Sequence, residues 1–228
     1  MSVALQPEFD ARKDVVHAHN TPAAVGQMQT NNDWGETMAY LVLGMALFFG
    51  THFISIVAPA WRDRMAAKLG EGPWKGLYSL VAIAGFAVML IGYGHTRHEP
   101  TVLYASPYWL HYVTAVLMLP VFPLLLAAYL PGRIKTAMKH PMLAATKFWA
   151  LAHLLVNGML GDVLLFGGFL VWAVFDRISL KHRVQRAITT APPGKANDLI
   201  AVLVGLCVYA AFVLWLHARW LGVAPLAL

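Results

Sequence analysis

The fold is decided by the stretch Lys147-Phe148-Trp149-Ala150-Leu151-Ala152-His153, which lies within the longer segment 131–183. A His-Pro step precedes it at His140-Pro141, and the apolar run that follows ends at the charged pair Asp176-Arg177. An ionisable side chain inside a membrane span is costly and marks a functional site by default. The sequence therefore makes His153 the first candidate functional residue.

The composition predicts a membrane protein. Of 228 residues, 59% are hydrophobic and only 12% are charged, and the mean hydropathy is +0.59. Backbone groups in lipid must be hydrogen-bonded within their own segment, which favours helices of about 20 residues. We therefore predict an all-α polytopic membrane helix bundle with six transmembrane helices, at residues 38–60, 77–93, 108–130, 142–160, 162–178 and 199–221.

The distribution of basic residues predicts the topology. Of the 17 Lys and Arg, 13 lie in the connections that follow the first, third and fifth predicted spans or near the span ends that border them, and 4 lie elsewhere. The positive-inside rule places those three connections in the cytoplasm and both termini on the opposite side of the membrane. The net charge of +6 thus reflects topology, so we expect a lipid bilayer and no nucleic acid as partner.

The chain divides into four predicted parts. Residues 1–37 are polar and predict a disordered external tail, and residues 38–183 form a membrane core of five helices. Residues 184–198 contain the helix breaker Ala191-Pro192-Pro193-Gly194 and predict a cytoplasmic linker. Residues 199–228 carry the sixth transmembrane helix.

Histidines are the only ionisable residues inside the predicted spans, apart from residues at the span ends. They are His52, His111, His153 and His217. The absence of internal carboxylates disfavours proton pumps and ion-coupled transporters, whereas neutral imidazole is a common ligand of haem iron. Cys207 is the single cysteine and no Cys-x-x-Cys-His motif is present, so haem would be held without a covalent bond to the chain.

Depth in the membrane groups these histidines into two pairs. At 1.5 Å per residue, His52 lies about 13 Å from the cytoplasmic boundary and His153 about 9–18 Å from it. His111 and His217 form a shallower pair at the external ends of their spans. The small Ala150, one turn before His153, leaves room for a flat macrocycle. Each histidine could equally hydrogen-bond to a neighbouring helix, so the residues alone leave both interpretations open.

Four motifs carry a family resemblance. They are residues 74–80, 131–135, 147–153 and 176–179, and in this order they resemble the bacterial NnrU family, which is named for an association with nitrite and nitric oxide reductase functions. The resemblance covers residues 38–183. The family is related to the plant 15-cis-zeta-carotene isomerase, a haem b membrane enzyme.

The resemblance implies a haem b site. The axial histidine of the plant isomerase falls on His153, and its first-span histidine falls on His52, so these two residues are the expected iron ligands with Ala150 beside them. The first, third and fourth spans are then expected to surround the cofactor, with Pro120 and Pro123 kinking the third. The plant enzyme has cysteine at the position of Ala150, so a ligand exchange at that position is not expected in this chain.

Three functions follow as hypotheses. The first is a haem b protein, either a cis-trans isomerase of a lipophilic polyene or a protein with another haem-linked role in denitrification. The second is a non-enzymatic accessory protein of nitrite or nitric oxide reductase. The third is a membrane methyltransferase, because Lys139-His140-Pro141 is similar to a basic-His-Pro motif of such enzymes; here the tyrosine and paired glutamates that usually follow are missing.

Overall fold

Apolar runs bounded by proline, glycine and charged residues form the helices of this chain. A computed structural model describes residues 22–183, 186 and 188–226. These residues form α-helices joined by short connections, with no β-strand among them. The helices are α1 (Pro22–Val57), α2 (Pro59–Leu69), α3 (Glu71–Thr96), α4 (Leu110–Met118), α5 (Val121–Tyr129), α6 (Arg133–Met138), α7 (Pro141–Val156), α8 (Leu160–Ser179), α9 (Asn197–Ala211) and α10 (His217–Leu221), with a π-helical turn, Phe212–Leu216, between the last two.

Four of these helices, among the residues described, are long and apolar enough to cross a membrane: Met38–Val57, Glu71–Thr96, Leu110–Tyr129 and Asn197–Leu221. The predicted count of six is not confirmed. Helix α7 has 16 residues, which span about 24 Å against a hydrocarbon core of about 30 Å. Helix α8 has 20 residues but carries Asp162, Asp176 and Arg177.

Helix α1 begins earlier than the sequence predicts. It starts at Pro22, so residues 22–37, predicted as part of a disordered tail, continue the first helix in the structure. Proline suits the first turn of a helix, and Ala, Gln and Met, which follow it, are good helix formers. The remainder of the predicted tail, residues 1–21, lies outside the described residues.

Proline interrupts the helices at two places. Helices α1 and α2 are separated at Ala58, directly before Pro59, and helices α4 and α5 are separated at Leu119–Pro120, where the sequence predicts a kink. Proline has no amide hydrogen to donate and its ring clashes with the preceding turn. Pro123 is accommodated because it lies in the first turn of α5.

The helices pack in a row. Each packs mainly on its neighbours in the order α3, α1, α8, α7, α4–α5, α9. Helices α1 and α3 approach most closely because glycine lies at the contact. A Cβ atom on Gly44 would lie 2.1 Å from the backbone nitrogen of Met89, and one on Gly92 would lie 2.3 Å from the backbone nitrogen of Leu41. Small residues permit such close packing of helices in membranes.

The outer surface of the row is apolar. Large hydrophobic side chains on several helices are more than half exposed, among them Leu80, Ile83, Val116, Leu203 and Leu214. A soluble protein rarely exposes so many large apolar side chains on contiguous helix faces. The surface therefore matches a lipid environment.

The helices end on two opposite sides of the bundle, and these two sides differ in charge. We call the end formed by residues 58–75, 131–140, 177–183, 186 and 188–195 the basic end, and the opposite end, formed by residues 97–109 and 157–159, the loop end. At the basic end the carboxylate of Asp198 accepts hydrogen bonds from the backbone nitrogens of Arg133 (2.7 Å) and Ile134 (3.1 Å). These contacts tie the last membrane helix to the turn between α5 and α6.

Candidate functional site

His52 lies on α1 in an aromatic environment. Its Nδ1 is 2.7 Å from the carbonyl oxygen of Phe48, one helical turn earlier. The centroid of its ring is 4.2 Å from that of Phe48, 5.5 Å from that of Tyr78 on α3 and 5.4 Å from that of Trp172 on α8. Three helices thus form the surroundings of His52.

His153 lies on α7 with the same local geometry. Its Nδ1 is 2.8 Å from the carbonyl oxygen of Trp149, again one turn earlier. Its ring stacks on Phe166 of α8 with a centroid distance of 4.6 Å, and the ring of Trp149 is 5.3 Å away. His153 is therefore held between its own helix and α8.

The two backbone hydrogen bonds determine which nitrogen of each imidazole ring carries the hydrogen. A carbonyl oxygen only accepts, so the Nδ1 of each ring carries the hydrogen. In a neutral imidazole the lone pair then lies on Nε2, the nitrogen free to bind a metal. Metal-bound histidines commonly hold their second nitrogen in this way. The chemistry of His52 and His153 therefore fits an axial ligand of haem iron.

An aromatic layer lies between the two histidines. We define it by Phe48 of α1, Trp149 of α7 and Phe169 of α8. The ring centroid of Phe169 is 5.4 Å from that of Phe48 and 5.3 Å from that of Trp149. Two imidazole nitrogens that share one metal lie about 4 Å apart, because each bond is about 2.0 Å. Shared ligation therefore requires the aromatic layer to rearrange.

The two histidines also lie at different positions along the axis of α8. His52 contacts Trp172 and His153 contacts Phe166, and these residues are six positions apart on α8, or about 9 Å along its axis. The third span, expected beside the cofactor, instead packs on the far side of α7, where Thr114 Oγ1 donates to the carbonyl of Ala152 (3.0 Å). Helix α8 occupies the position that was expected for the third span, because the aromatic side chains of α8 pack between α1 and α7.

Sequence reasoning missed the aromatic face of α8. Phe166, Phe169 and Trp172 recur every three residues and lie on one face of the helix. The spacing alone could have identified this face as the surface that contacts both histidine-bearing helices.

Ala150 is fully buried. It belongs to a hydrophobic cluster that includes Phe49 and Leu165 and extends to Phe166. The residue thus lies beside the aromatic layer, and its small size allows α7 to pack closely there. Its role as a contact of a macrocycle stays a prediction.

The other two intramembrane histidines lie near the loop end. His111 Nδ1 is 3.0 Å from the carbonyl of Tyr108, and His217 Nδ1 is 2.6 Å from the carbonyl of Val223. In neither case is the ring hydrogen-bonded to the carbonyl four residues earlier, which is the arrangement found for His52 and His153. Among the described residues, no group of three or more His, Cys, Asp or Glu could hold a metal ion.

Hydroxyl groups from the loop end cap α7 close to His153. Tyr104 donates to the carbonyls of Leu154 and Asn157, the latter at 2.9 Å, and Ser106 donates to the carbonyl of Leu155 at 2.6 Å. Burial raises the pKa of Tyr104, so its hydroxyl remains protonated and able to donate. These bonds satisfy carbonyls that the end of α7 leaves without helical partners.

A buried carboxylate lies at the loop end of α8. Tyr93 of α3 donates to Asp162 Oδ1 at 2.7 Å, and the backbone nitrogen of Met159 donates to Asp162 Oδ2 at 3.2 Å. Asp162 is only 6% exposed. Its position in the first turn of α8 is favourable for a negative charge. In the sequence analysis Asp162 is only the first residue of the fifth predicted span, 162–178, and its pairing with Tyr93 was not predicted.

The Lys139-His140-Pro141 step begins a helix. Pro141 is the first residue of α7, and the preceding turn has a hydrogen bond of 2.6 Å from the nitrogen of His140 to the carbonyl of Met138. Lys139 has φ = 60°, the only positive φ of a non-glycine residue in the part of the chain that the structure describes. The motif thus has a local structural role at the basic end.

We predict that Cys207 is not needed to retain haem. Its side chain is exposed on α9, away from the aromatic layer, and an isolated cysteine behaves mainly as a small hydrophobe. Cys207→Ala should therefore keep the haem content of the unmodified protein, measured by absorption after purification. Loss of haem in this variant alone would contradict the assignment of the ligands to histidine.

The fold and site define a polytopic α-helical membrane protein with two half-buried histidines on either side of an aromatic helix face. The chain belongs to the NnrU protein family, whose pattern it matches over residues 40–225. The match extends past Arg183 and includes the last helix, which the four motifs did not reach. Searches of curated proteins and of solved structures found no match.

Proposed function

We propose that this protein is an integral membrane haem b protein with His153 and His52 as the iron ligands, and that the rings of the aromatic layer move apart to admit the macrocycle. The observation that carries the proposal is the shared hydrogen bond from Nδ1 to the carbonyl one turn earlier, 2.8 Å in His153 and 2.7 Å in His52. It leaves Nε2 of each ring as the metal-binding nitrogen in an apolar, aromatic environment. The family resemblance points to the same two residues.

Haem, when bound, supplies an iron centre that binds axial ligands and changes oxidation state. The chain's own residues supply the rest. The carbonyls of Phe48 and Trp149 orient the imidazoles. The rings of Phe48, Trp149 and Phe169 supply flat apolar surfaces, which suit a porphyrin or a lipophilic polyene. A cis-trans isomerase of the zeta-carotene type is the enzymatic form of this proposal.

A second candidate is a non-enzymatic accessory protein of nitrite or nitric oxide reductase. The observation that favours it is the packed aromatic layer, because Phe169 makes close ring contacts with both Phe48 and Trp149. A layer filled in this way stabilises the bundle without a cofactor. In that case His52 and His153 serve as hydrogen-bonding residues of the helix interior.

Titration of the purified apoprotein in detergent with haemin distinguishes the two functions. The indole of Trp149 lies beside His153, so haem bound there should quench its fluorescence until one haem per chain is bound. Trp172 lies beside His52 and should be quenched as well, so Trp149→Phe should lose part of the quenching. The matched control is Trp215→Phe, because Trp215 is 63% exposed on the last membrane helix. Quenching that never saturates would favour the accessory protein.

We further propose that the protein resides in a bacterial inner membrane with its basic end in the cytoplasm. Most of the Lys and Arg residues lie at that end, and cytoplasmic connections are enriched in them. Reporter fusions at Lys68 and at Arg183 should therefore report a cytoplasmic position, and a fusion at the C-terminus a periplasmic one. A cytoplasmic signal at the C-terminus would contradict this topology.

A further inference from the structure

A groove of about 300 Å³ opens at the basic end between the end of α1 and the end of α8. Ile56, Phe175 and Ile178 form an apolar wall, while Ser179, His182 and Arg183 contribute polar groups. Phe175 is 51% exposed and Ile178 is 49% exposed, so the apolar wall continues onto the outer surface of the bundle. The groove thus offers an apolar and a polar surface side by side, next to the basic connection that follows α8.

Arg183 has an unused donor at this groove. Its Nη1 donates to the carbonyl of Ser55 at 2.9 Å, and its Nη2 pairs with the carboxylate of Asp176. Its Nε is buried and has no hydrogen-bond partner within the described residues. A buried charged donor without an acceptor is unfavourable. An acceptor oxygen from a bound molecule would satisfy it once the Arg183 side chain turns so that Nε faces the groove.

The local charge selects the kind of acceptor. The segment 176–183, which contributes one wall of the groove, contains three basic residues and one carboxylate. Because Asp176 is paired with Arg183, the remaining charge of this segment is positive. Basic pockets at the cytoplasmic ends of membrane helices bind anionic lipid head groups. An arginine guanidinium suits a phosphate oxygen particularly well.

We propose that this groove binds the phosphate head group of an anionic phospholipid, with its acyl chains along Phe175 and Ile178. The proposal is independent of haem binding, because the lining residues of the groove do not include His52, His153 or the aromatic layer. The lipid would hold the basic end of α8 against α1.

The test uses the full chain, purified in detergent and exchanged into an equal mixture of phosphatidylglycerol and phosphatidylcholine. Native mass spectrometry then counts the lipids that remain bound. Ile178→Trp fills the groove without a change of charge. Val174→Trp is its matched control, since Val174 lies one turn earlier on the same helix, is 40% exposed and does not line the groove. Arg183→Lys keeps the positive charge but removes Nε.

We expect one phosphatidylglycerol per chain to be retained in preference to phosphatidylcholine. Ile178→Trp and Arg183→Lys should each lower retention about tenfold, and Val174→Trp should leave it unchanged. Equal retention of the two lipids, or full retention in Ile178→Trp, would overturn the proposal. Competition by inorganic phosphate as effective as that by phosphatidylglycerol would show a simple anion site and overturn it as well. If Arg183→Lys does not fold, the comparison of the two tryptophan variants decides.

Discussion

Gly92→Ala is expected to lower the midpoint of thermal unfolding by roughly 5–10 °C, equivalent to about 2–3 kcal/mol. The added Cβ atom would lie 2.3 Å from the backbone nitrogen of Leu41 and 2.7 Å from the backbone carbon of Tyr40. Backbone atoms cannot turn aside as a flexible side chain can, so α1 and α3 must separate. Separation removes contacts along the closest helix pair of the bundle.

The control for this variant lies two residues away on the same helix. A Cβ atom on Gly94 would meet nothing within 4 Å. Gly94→Ala should therefore be neutral or slightly stabilising, since alanine favours a helix over glycine by about 1 kcal/mol. The measurement is a thermal melt in detergent followed by tryptophan fluorescence. Equal midpoints for the two variants would contradict the close packing of α1 on α3.

The second large effect concerns the histidines. His153→Ala and His52→Ala are each expected to lower the haem content of the purified protein by roughly tenfold or more. No covalent bond holds the porphyrin, so loss of an axial ligand removes the main directional attachment. The haem content is measured as pyridine haemochromogen per chain, alongside the far-UV spectrum that shows whether the helices are retained.

His111→Ala and His217→Ala serve as controls because both residues lie near the loop end and outside the aromatic layer. They should retain the haem content of the unmodified protein. If these two variants lost haem while His52→Ala and His153→Ala kept it, the site would lie at the loop end. Retention in His52→Ala with loss in His153→Ala would exclude the bis-histidine arrangement.

The positions of the helices could be predicted from the sequence because hydrophobicity along the chain is a local property. Each predicted apolar segment contains a helix in the structure, and the interruption at Pro120 follows from its missing amide hydrogen. The number of membrane crossings could not be settled in the same way. Helix α7 is short and α8 carries charges near both ends, so their stability depends on neighbours that a hydropathy profile does not show.

The sequence identifies the candidate residues of the site, whose role stays a prediction, but it does not indicate how they are arranged. A depth estimate gives only the position of a residue along the membrane normal, so it does not indicate which helix lies between two others. His52 and His153 have overlapping depth estimates, yet Phe169 of α8 lies between their helices. Likewise, the pairing of Tyr93 with Asp162 joins residues 69 positions apart, and no local pattern indicates such a contact.

The most direct test of the central claim is the absorption spectrum of the full-length protein, purified in detergent from haem-supplemented cells and recorded before and after dithionite reduction. Two neutral imidazoles give a low-spin haem, so we expect a Soret band that shifts on reduction and sharp visible bands in the reduced protein, at one haem per chain. A spectrum without a Soret band, from protein that keeps its helical far-UV signal, would contradict haem binding by His52 and His153.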